Sequence, residues 1–361
     1  MKHGIQLFLS LTLFVWSTSC IDEIQLTAPS GDFNSNLVLN GKMTHQDGSV
    51  LVTVQARRVI PRATFARTEW EAMARVTLFD EAGNQRNVPV MDGRQEATLA
   101  IPPGDPFVVQ PGKSYTLEVE LEDGRVYRSS LQPLIEVPPI EEIGFEQRTE
   151  LITNPQGNIA EQEIIAFQVT TDPARPDGQI TTGLRWETEV IFQLSQAPES
   201  GGGVVCYLEL YPRLNDFPLF DGTSLTESPG PLQFDIYRTT PNYFFAEGYL
   251  IRVYQETLSA EAYAYWEQVR RVLNRSGTIA EDPVGEVQGN WTAVDDPEET
   301  VYGLFYTVDR TMEDLFVTPE EVGNPAFHCP QESDGVNLCT DCREAWGADR
   351  SSFTPPIGWG G

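Results

Sequence analysis

Positive charge is scarce in this 361-residue chain: 24 Lys and Arg stand against 53 Asp and Glu, a formal net charge of −29. Binding to phosphate needs Lys and Arg to displace counterions, so the balance argues against a nucleic-acid partner. It argues equally against an electrostatic hold on anionic lipid. Histidine is almost absent. With His3 at the extreme N-terminus, His45 and His328 remain, too few for a Ser-His-Asp site or a His-rich metal cluster. Both read as surface residues, His45 beside a predicted turn and His328 in the C-terminal tail. No Gly-rich loop follows a strand and opens a helix, as a phosphate cradle requires; Gly201-Gly202-Gly203 precedes a strand. Asp295-Asp296 and Asn215-Asp216 do not make an EF-hand loop. Carboxylates are too numerous to be informative, because a glycosidase needs two of them about 5–10 Å apart and some pair will meet that distance by chance. No cofactor and no metal is expected.

What is present begins at the N-terminus. Lys2 and His3 precede a mostly apolar stretch over 5–16, shorter than the ~20 apolar residues a membrane-spanning helix needs. It runs into Ser17-Thr18-Ser19-Cys20. That is the arrangement of a bacterial lipoprotein signal, in which the Cys thiol takes a diacylglycerol and becomes the new N-terminus. Ser17 departs from the usual Leu at its position. Residues 1–19 are therefore read as the signal and 20–35 as a lipidated tether. Ile21-Asp22-Glu23 places acids directly after the anchor, resembling the surface-export signal of Bacteroidota lipoproteins. No second apolar run of membrane length follows, which predicts a protein anchored to a membrane and not spanning one.

With Cys20 lipidated, Cys206, Cys329, Cys339 and Cys342 remain. Four cysteines allow three pairings, and an exported protein is expected to use them as disulfides. A zinc knuckle built on Cys339-Thr340-Asp341-Cys342 would need a second spaced ligand pair, and the adjacent His328 and Cys329 do not supply one. A redox role would want the Cys-x-x-Cys opening a helix after a strand; here it lies in a polar tail.

Over 36–131 the pattern is period two, broken by turns every 8–12 residues. Examples are Leu37-Val38-Leu39-Asn40-Gly41-Lys42-Met43, the turn Gln46-Asp47-Gly48-Ser49, and Ser114-Tyr115-Thr116-Leu117-Glu118-Val119-Glu120-Leu121. About seven such strands predict an immunoglobulin-like β-sandwich over 36–137. The interruption over 59–71 gathers a rare basic cluster, Arg57, Arg58, Arg62 and Arg67, read as a solvated loop or a partner-docking surface. Val137-Pro138-Pro139-Ile140-Glu141-Glu142 reads as an extended linker. A second β-rich domain is expected over 138–328, closing with strands over 301–308 and 315–317, and a Cys-containing tail over 329–361. Asn290-Trp291-Thr292 spells a glycosylation acceptor, which a bacterial lipidation signal makes a chance match.

One amphipathic helix is expected over 259–275. Ser259 would cap it, Glu261 would complement its dipole and Gly277 would close it. Ala262, Tyr265, Trp266, Val269, Val272 and Leu273 share one face, as a helix packed on a sheet would arrange them. Pro241-Asn242-Tyr243-Phe244-Phe245 shows no strand alternation, so Tyr243, Phe244 and Phe245 are a candidate contact surface. The fold class is thus mainly β: an Ig-like sandwich followed by a second β-rich (α+β) domain with one helix.

The order of these segments resembles a known family. Ser259-Ala260-Glu261-Ala262-Tyr263-Ala264-Tyr265-Trp266 is followed by Ser276-Gly277-Thr278-Ile279, Gly289-Asn290-Trp291, Val301-Tyr302-Gly303-Leu304-Phe305, Cys339-Thr340-Asp341-Cys342 and a Pro356-Ile357-Gly358-Trp359 ending. Val38-Leu39-Asn40-Gly41-Lys42-Met43 and Pro111-Gly112-Lys113-Ser114-Tyr115 agree in the N-terminal half. The set resembles the Bacteroidota outer-membrane lipoproteins grouped as domain of unknown function four-two-four-nine, with Tyr302 and Leu304 departing from the commoner residues beside Gly303. The resemblance implies an outer-membrane lipoprotein with an N-terminal Ig-like domain, encoded beside TonB-dependent receptors, and it supplies no catalytic residues. The expected role is therefore non-enzymatic: an accessory of a TonB-dependent transporter that binds that receptor or another outer-membrane protein. A structural or assembly component of the outer membrane is the alternative, and a surface-polymer hydrolase the third reading.

Overall fold

The alternation over 114–121 forms the strand it predicts, Ser114–Leu121, and every second side chain of that strand is buried. In the computed structural model of the chain, the described residues are 36–60, 67–91, 95–153, 157–195, 205–211, 217–274, 287, 289–326, 346–347 and 350–360. The expected signal and tether, with Cys20, lie outside them, as do Arg62, His328, Cys329, Cys339, Cys342, Gly201-Gly202-Gly203 and Gly277.

The first half supplies β1 (Asn36–Gln46), β2 (Ser49–Ile60), β3 (Arg67–Trp70), β4 (Met73–Asp80), β5 (Gln85–Val88), β6 (Glu96–Ile101), β7 (Ser114–Leu121), β8 (Val126–Ser129) and β9 (Gln132–Pro133). After it come β10 (Glu142–Thr153), β11 (Ile159–Thr171), β12 (Gly183–Ser195), β13 (Val205–Leu210), β14 (Leu219–Asp221), β15 (Leu232–Thr239) and β16 (Tyr249–Leu258). The helix α1 (Ala260–Leu273) precedes β17 (Trp291–Ala293), β18 (Val301–Tyr302), β19 (Phe305–Val317) and β20 (Ser351–Ser352). The protein is mainly β, as expected.

The β1–β2 hairpin turns where the sequence places it, with Asp47 at φ 50° and Gly48 at φ 76°, the two left-handed positions of a tight hairpin turn. The largest sheet runs β20-β13-β12-β16-β19-β1-β2-β3, with β14 on β12, β18 on β1 and β6 on β2. A six-stranded sheet runs β17-β8-β7-β4-β5 with β9 on β7, and β10-β11-β15 form a third. Leu39, Val52, Leu117, Val119, Trp291 and Phe305 share one core. Phe167, Trp186, Phe192, Tyr249 and Val253 share a second. A small third core under α1 holds Leu258, Ala262, Leu304 and Val308.

The expected boundary at 137/138 does not separate the sheets. β1 lies parallel to β19, pairing Gly41 with Phe305 and Thr44 with Val308, and β17 extends the sheet of β8. The presumed linker is held in place, because backbone groups of a Pro-rich segment cannot all join a ladder and must find other partners. Thr307 Oγ1 donates to the Pro133 carbonyl (2.8 Å) and Thr257 Oγ1 to that of Ile135 (2.6 Å). Gln255 Nε2 donates to the Pro138 carbonyl (2.7 Å), and the Val137 amide donates to Asp309 Oδ2 (2.9 Å).

Several boundaries differ from expectation. Arg57 and Arg58 lie within β2, and part of the expected basic loop is strand β3. The closing strands expected over 301–308 and 315–317 are the short β18 and one continuous β19, held between β1 and β16. β10 went unread because its outer end is exposed and shows no buried alternation. The helix spans Ala260–Leu273, and Ser259 Oγ accepts the Ala262 amide at 3.1 Å as its cap. Its last apolar residues, Val272 and Leu273, are exposed.

Candidate functional site

The face of the large sheet beneath α1 carries charge where a hydrophobic core is the default. Arg185 on β12, Glu256 on β16 and Arg310 on β19 stand directly opposite one another across three neighbouring strands. Side chains in one row of a sheet project from the same face, so three charges meet there. Glu256 is fully buried. Its Oε1 accepts from Lys42 Nζ and Arg310 Nε, each at 2.7 Å, and its Oε2 accepts from Arg185 Nη2 at 2.8 Å. Glu187 completes the group, accepting from Arg310 Nη2 at 2.8 Å and from Arg185, with Lys42 Nζ at 3.5 Å.

Burial opposes the charge on Glu256, but Lys42, Arg185 and Arg310 more than offset it and hold the carboxyl well below the usual carboxylate range. Burial likewise works against the Arg185 guanidinium, while Tyr306, Glu256 and Glu187 raise its pKa above the ordinary value.

Above this group lies a cavity of about 410 Å³, lined by Lys42, Thr53, Gln55, Tyr265, Trp266 and Tyr306 among others. Its size is that of a small-molecule site. The Trp266 ring stands nearly perpendicular to Tyr265 (87°, 5.7 Å) and to Tyr306 (76°, 5.9 Å). The Arg185 guanidinium lies 4.2 Å from the Trp266 ring centre, a cation–π contact made strong by burial. Arg185 Nε and Trp266 Nε1 are buried, and neither has a hydrogen-bond partner among the described residues.

A second depression, of about 500 Å³, lies between Arg75 and Arg86. Arg75 is exposed and Arg86 partly so, and both are already paired, with Glu120 and Asp105 at 2.9 Å. It contains no aromatic ring and no buried charge, so the α1 cavity is the better candidate.

The residues singled out from the sequence lie elsewhere. Arg57 stacks on Trp70 at 4.3 Å and donates to Gln55 Oε1 at 3.1 Å, while Arg58 pairs with Glu71 at 2.7 Å. Arg67 opens β3 opposite Ile60, and Arg62 lies outside the described residues. Tyr243, Phe244 and Phe245 form a single 3-10 turn and do not make an exposed patch. Phe245 is fully buried against Tyr249 at 4.1 Å, and Phe244 packs on Phe192 at 4.1 Å. An unalternating aromatic run serves the core here because a 3-10 turn, not a strand, carries it. Cys206 is buried and disulfide-bonded; Cys329, Cys339 and Cys342 lie outside the described residues. His45 is not a free surface residue, since its Nδ1 lies 2.5 Å from Asp309 Oδ1. No group of three or more metal-ligating side chains occurs among the described residues.

The spacing of the helix stripe predicts packing on a sheet. Ala262 is buried against the sheet and Tyr265 and Trp266 pack on the same small core, as expected, and Tyr265, Trp266 and Val269 also line the cavity. The charge group was missed entirely. Its one sequence signal is charge inside apolar strands, as in Leu184-Arg185-Trp186-Glu187 and Tyr254-Gln255-Glu256-Thr257.

The model of the family described as Domain of unknown function (DUF4249) matches residues 21–314, a span that contains every member of the charge group and the cavity. No curated protein matches the chain.

Proposed function

The chain belongs to the DUF4249 family, and from that premise we propose that it is a non-enzymatic, lipid-anchored protein of the outer membrane that serves a TonB-dependent transport system as an accessory or binding component. Cys20, at the end of a short apolar signal, is the anchor, and the acids that follow it support placement at the cell surface. No helix among the described residues is long and apolar enough to cross a membrane. The observation that carries the reading is the aromatic cavity beside α1, whose walls Tyr265, Trp266 and Tyr306 stand over a buried group of fixed charges. Such a cavity suits holding a small molecule for hand-over to a receptor.

The test is a pull-down from native membranes through a C-terminal tag. A plug-and-barrel receptor is expected to co-purify, loss of the protein should impair growth on one nutrient, and Cys20→Ala should release it from the membrane fraction. Recovery of no receptor from intact membranes rejects the reading. The β10–β11 hairpin favours the alternative of a structural or assembly component. Leu151 and Ile159, towards its outer end, are 71% and 70% exposed, which suits contact with a protein surface. In that case loss of the protein should change the abundance of many outer-membrane proteins at once.

A further inference from the structure

We propose that the α1 cavity binds a small organic anion, a carboxylate carried on a flat ring. The inference rests on the binding role above and names the chemistry of what is bound.

Charge points to an anion. In a chain with a net charge of −29, the one charged side chain among the described residues that line this cavity is a cation, Lys42. Lys42 is held in place by Glu256, and a carboxylate entering the cavity meets a cation and no acidic side chain in the described lining.

Hydrogen bonding points the same way. Among the described residues that line the cavity, the buried side-chain polar atom without a partner is a donor, Trp266 Nε1, and the Arg185 guanidinium against its ring has an unpartnered Nε as well. Unsatisfied buried donors are rare in native proteins, and an acceptor-only group such as a carboxylate complements a donor excess.

The rings define the rest of the ligand. Trp266 stands edge-on to both Tyr265 and Tyr306, which forms a corner that a flat ring fills by stacking on one wall and meeting the next with its edge. Thr53 and Gln55 add polar groups at the β2 side. A neutral sugar could stack there but would make no use of the Lys42 charge.

The test uses the mature full-length protein and calorimetric titration with benzoate and indole-3-acetate, each compared with its neutral amide and with glucose. The expected result is that at least one acid binds and that its amide binds at least tenfold more weakly. Lys42→Met should remove that preference. Val269→Trp, which fills the cavity from α1 and leaves the charge group intact, should abolish binding while circular dichroism shows an unchanged fold. Equal binding of acid and amide, binding of glucose alone, binding undiminished in Val269→Trp, or no binding of either acid at millimolar concentration overturns the proposal. Receptor co-purification is independent of these outcomes, so the ligand class can fail while the transport role stands.

Discussion

Asn290 and Phe305 are joined by a two-way clasp: Asn290 Nδ2 donates to the Phe305 carbonyl at 2.8 Å, and Asn290 Oδ1 accepts the Phe305 amide at 2.9 Å. The side chain imitates a strand neighbour at the point where β19 begins, and it ties the six-stranded sheet to the large one. Asn290 is itself largely buried, so the acceptor-like sequence Asn290-Trp291-Thr292 is a structural segment. Asn290→Ala leaves two buried backbone groups of Phe305 unpaired, each worth about 1–3 kcal/mol. The expected loss is about 2–6 kcal/mol in urea unfolding, with the slope unchanged.

The glycines that flank this clasp are both fixed by space, and Gly303 by conformation as well. Gly303 sits at φ +87°, where a Cβ would lie 2.2 Å from the Leu39 carbonyl oxygen, and a Cβ on Gly289 would lie 1.7 Å from the Gly303 oxygen. Left-handed backbone alone costs an L-residue about 1–2 kcal/mol; here a backbone clash adds to it. Gly303→Ala is expected to cost more than Asn290→Ala. A melting temperature within a few degrees of wild type would contradict that.

Local pattern was legible and long-range pairing was not. Residues 114–121 and the Ser259 cap could be read from their neighbours alone, because period-two burial and capping are local effects. The β1–β19 pairing joins residues 41 and 305, and nothing in either segment names its partner. β10 escaped because an outward-reaching hairpin is exposed where a core strand would alternate. The charge group escaped for a related reason. Lys42, Arg185, Glu187, Glu256 and Arg310 come from four strands, and each looks like an ordinary polar position until the sheet sets them side by side.

The buried group predicts an acid-sensitive fold. Glu256 has its pKa depressed in the folded protein by Lys42, Arg185 and Arg310, against the opposing effect of burial. A depressed folded value means that the stabilisation is fully present above the unfolded value, about 4.3 for Glu, and is lost as pH falls from there towards the folded value. Thermal melts of the wild type should therefore drop below about pH 4.3, and Glu256→Gln should flatten that part of the profile. Arg185→Met removes one cation while leaving its partners buried, which typically costs about 3–5 kcal/mol. A wild-type profile that stays level down to pH 3 would show that the network does not hold Glu256 ionised.

The pinned segment over 133–139 predicts a single unfolding transition. Two independent domains joined by a Pro-Pro linker would melt separately. Here β1 belongs to the same sheet as β16 and β19, and the segment between the cores is fastened by Thr257, Thr307, Asp309 and Gln255. Gln255 is the central fastener: it is fully buried, donates to Pro138 and to Thr171 Oγ1 at 3.2 Å, and accepts from Trp186 Nε1 at 2.9 Å. Calorimetry of the wild type should show one peak whose calorimetric and van't Hoff enthalpies agree. Gln255→Met keeps the volume but strands the Pro138 carbonyl and the Trp186 indole N–H, each at about 1–3 kcal/mol. It should lower the melting temperature and, because the fastening is lost where the two cores meet, broaden or split the peak. Two peaks already present in the wild type would mean that the shared sheet does not couple the cores.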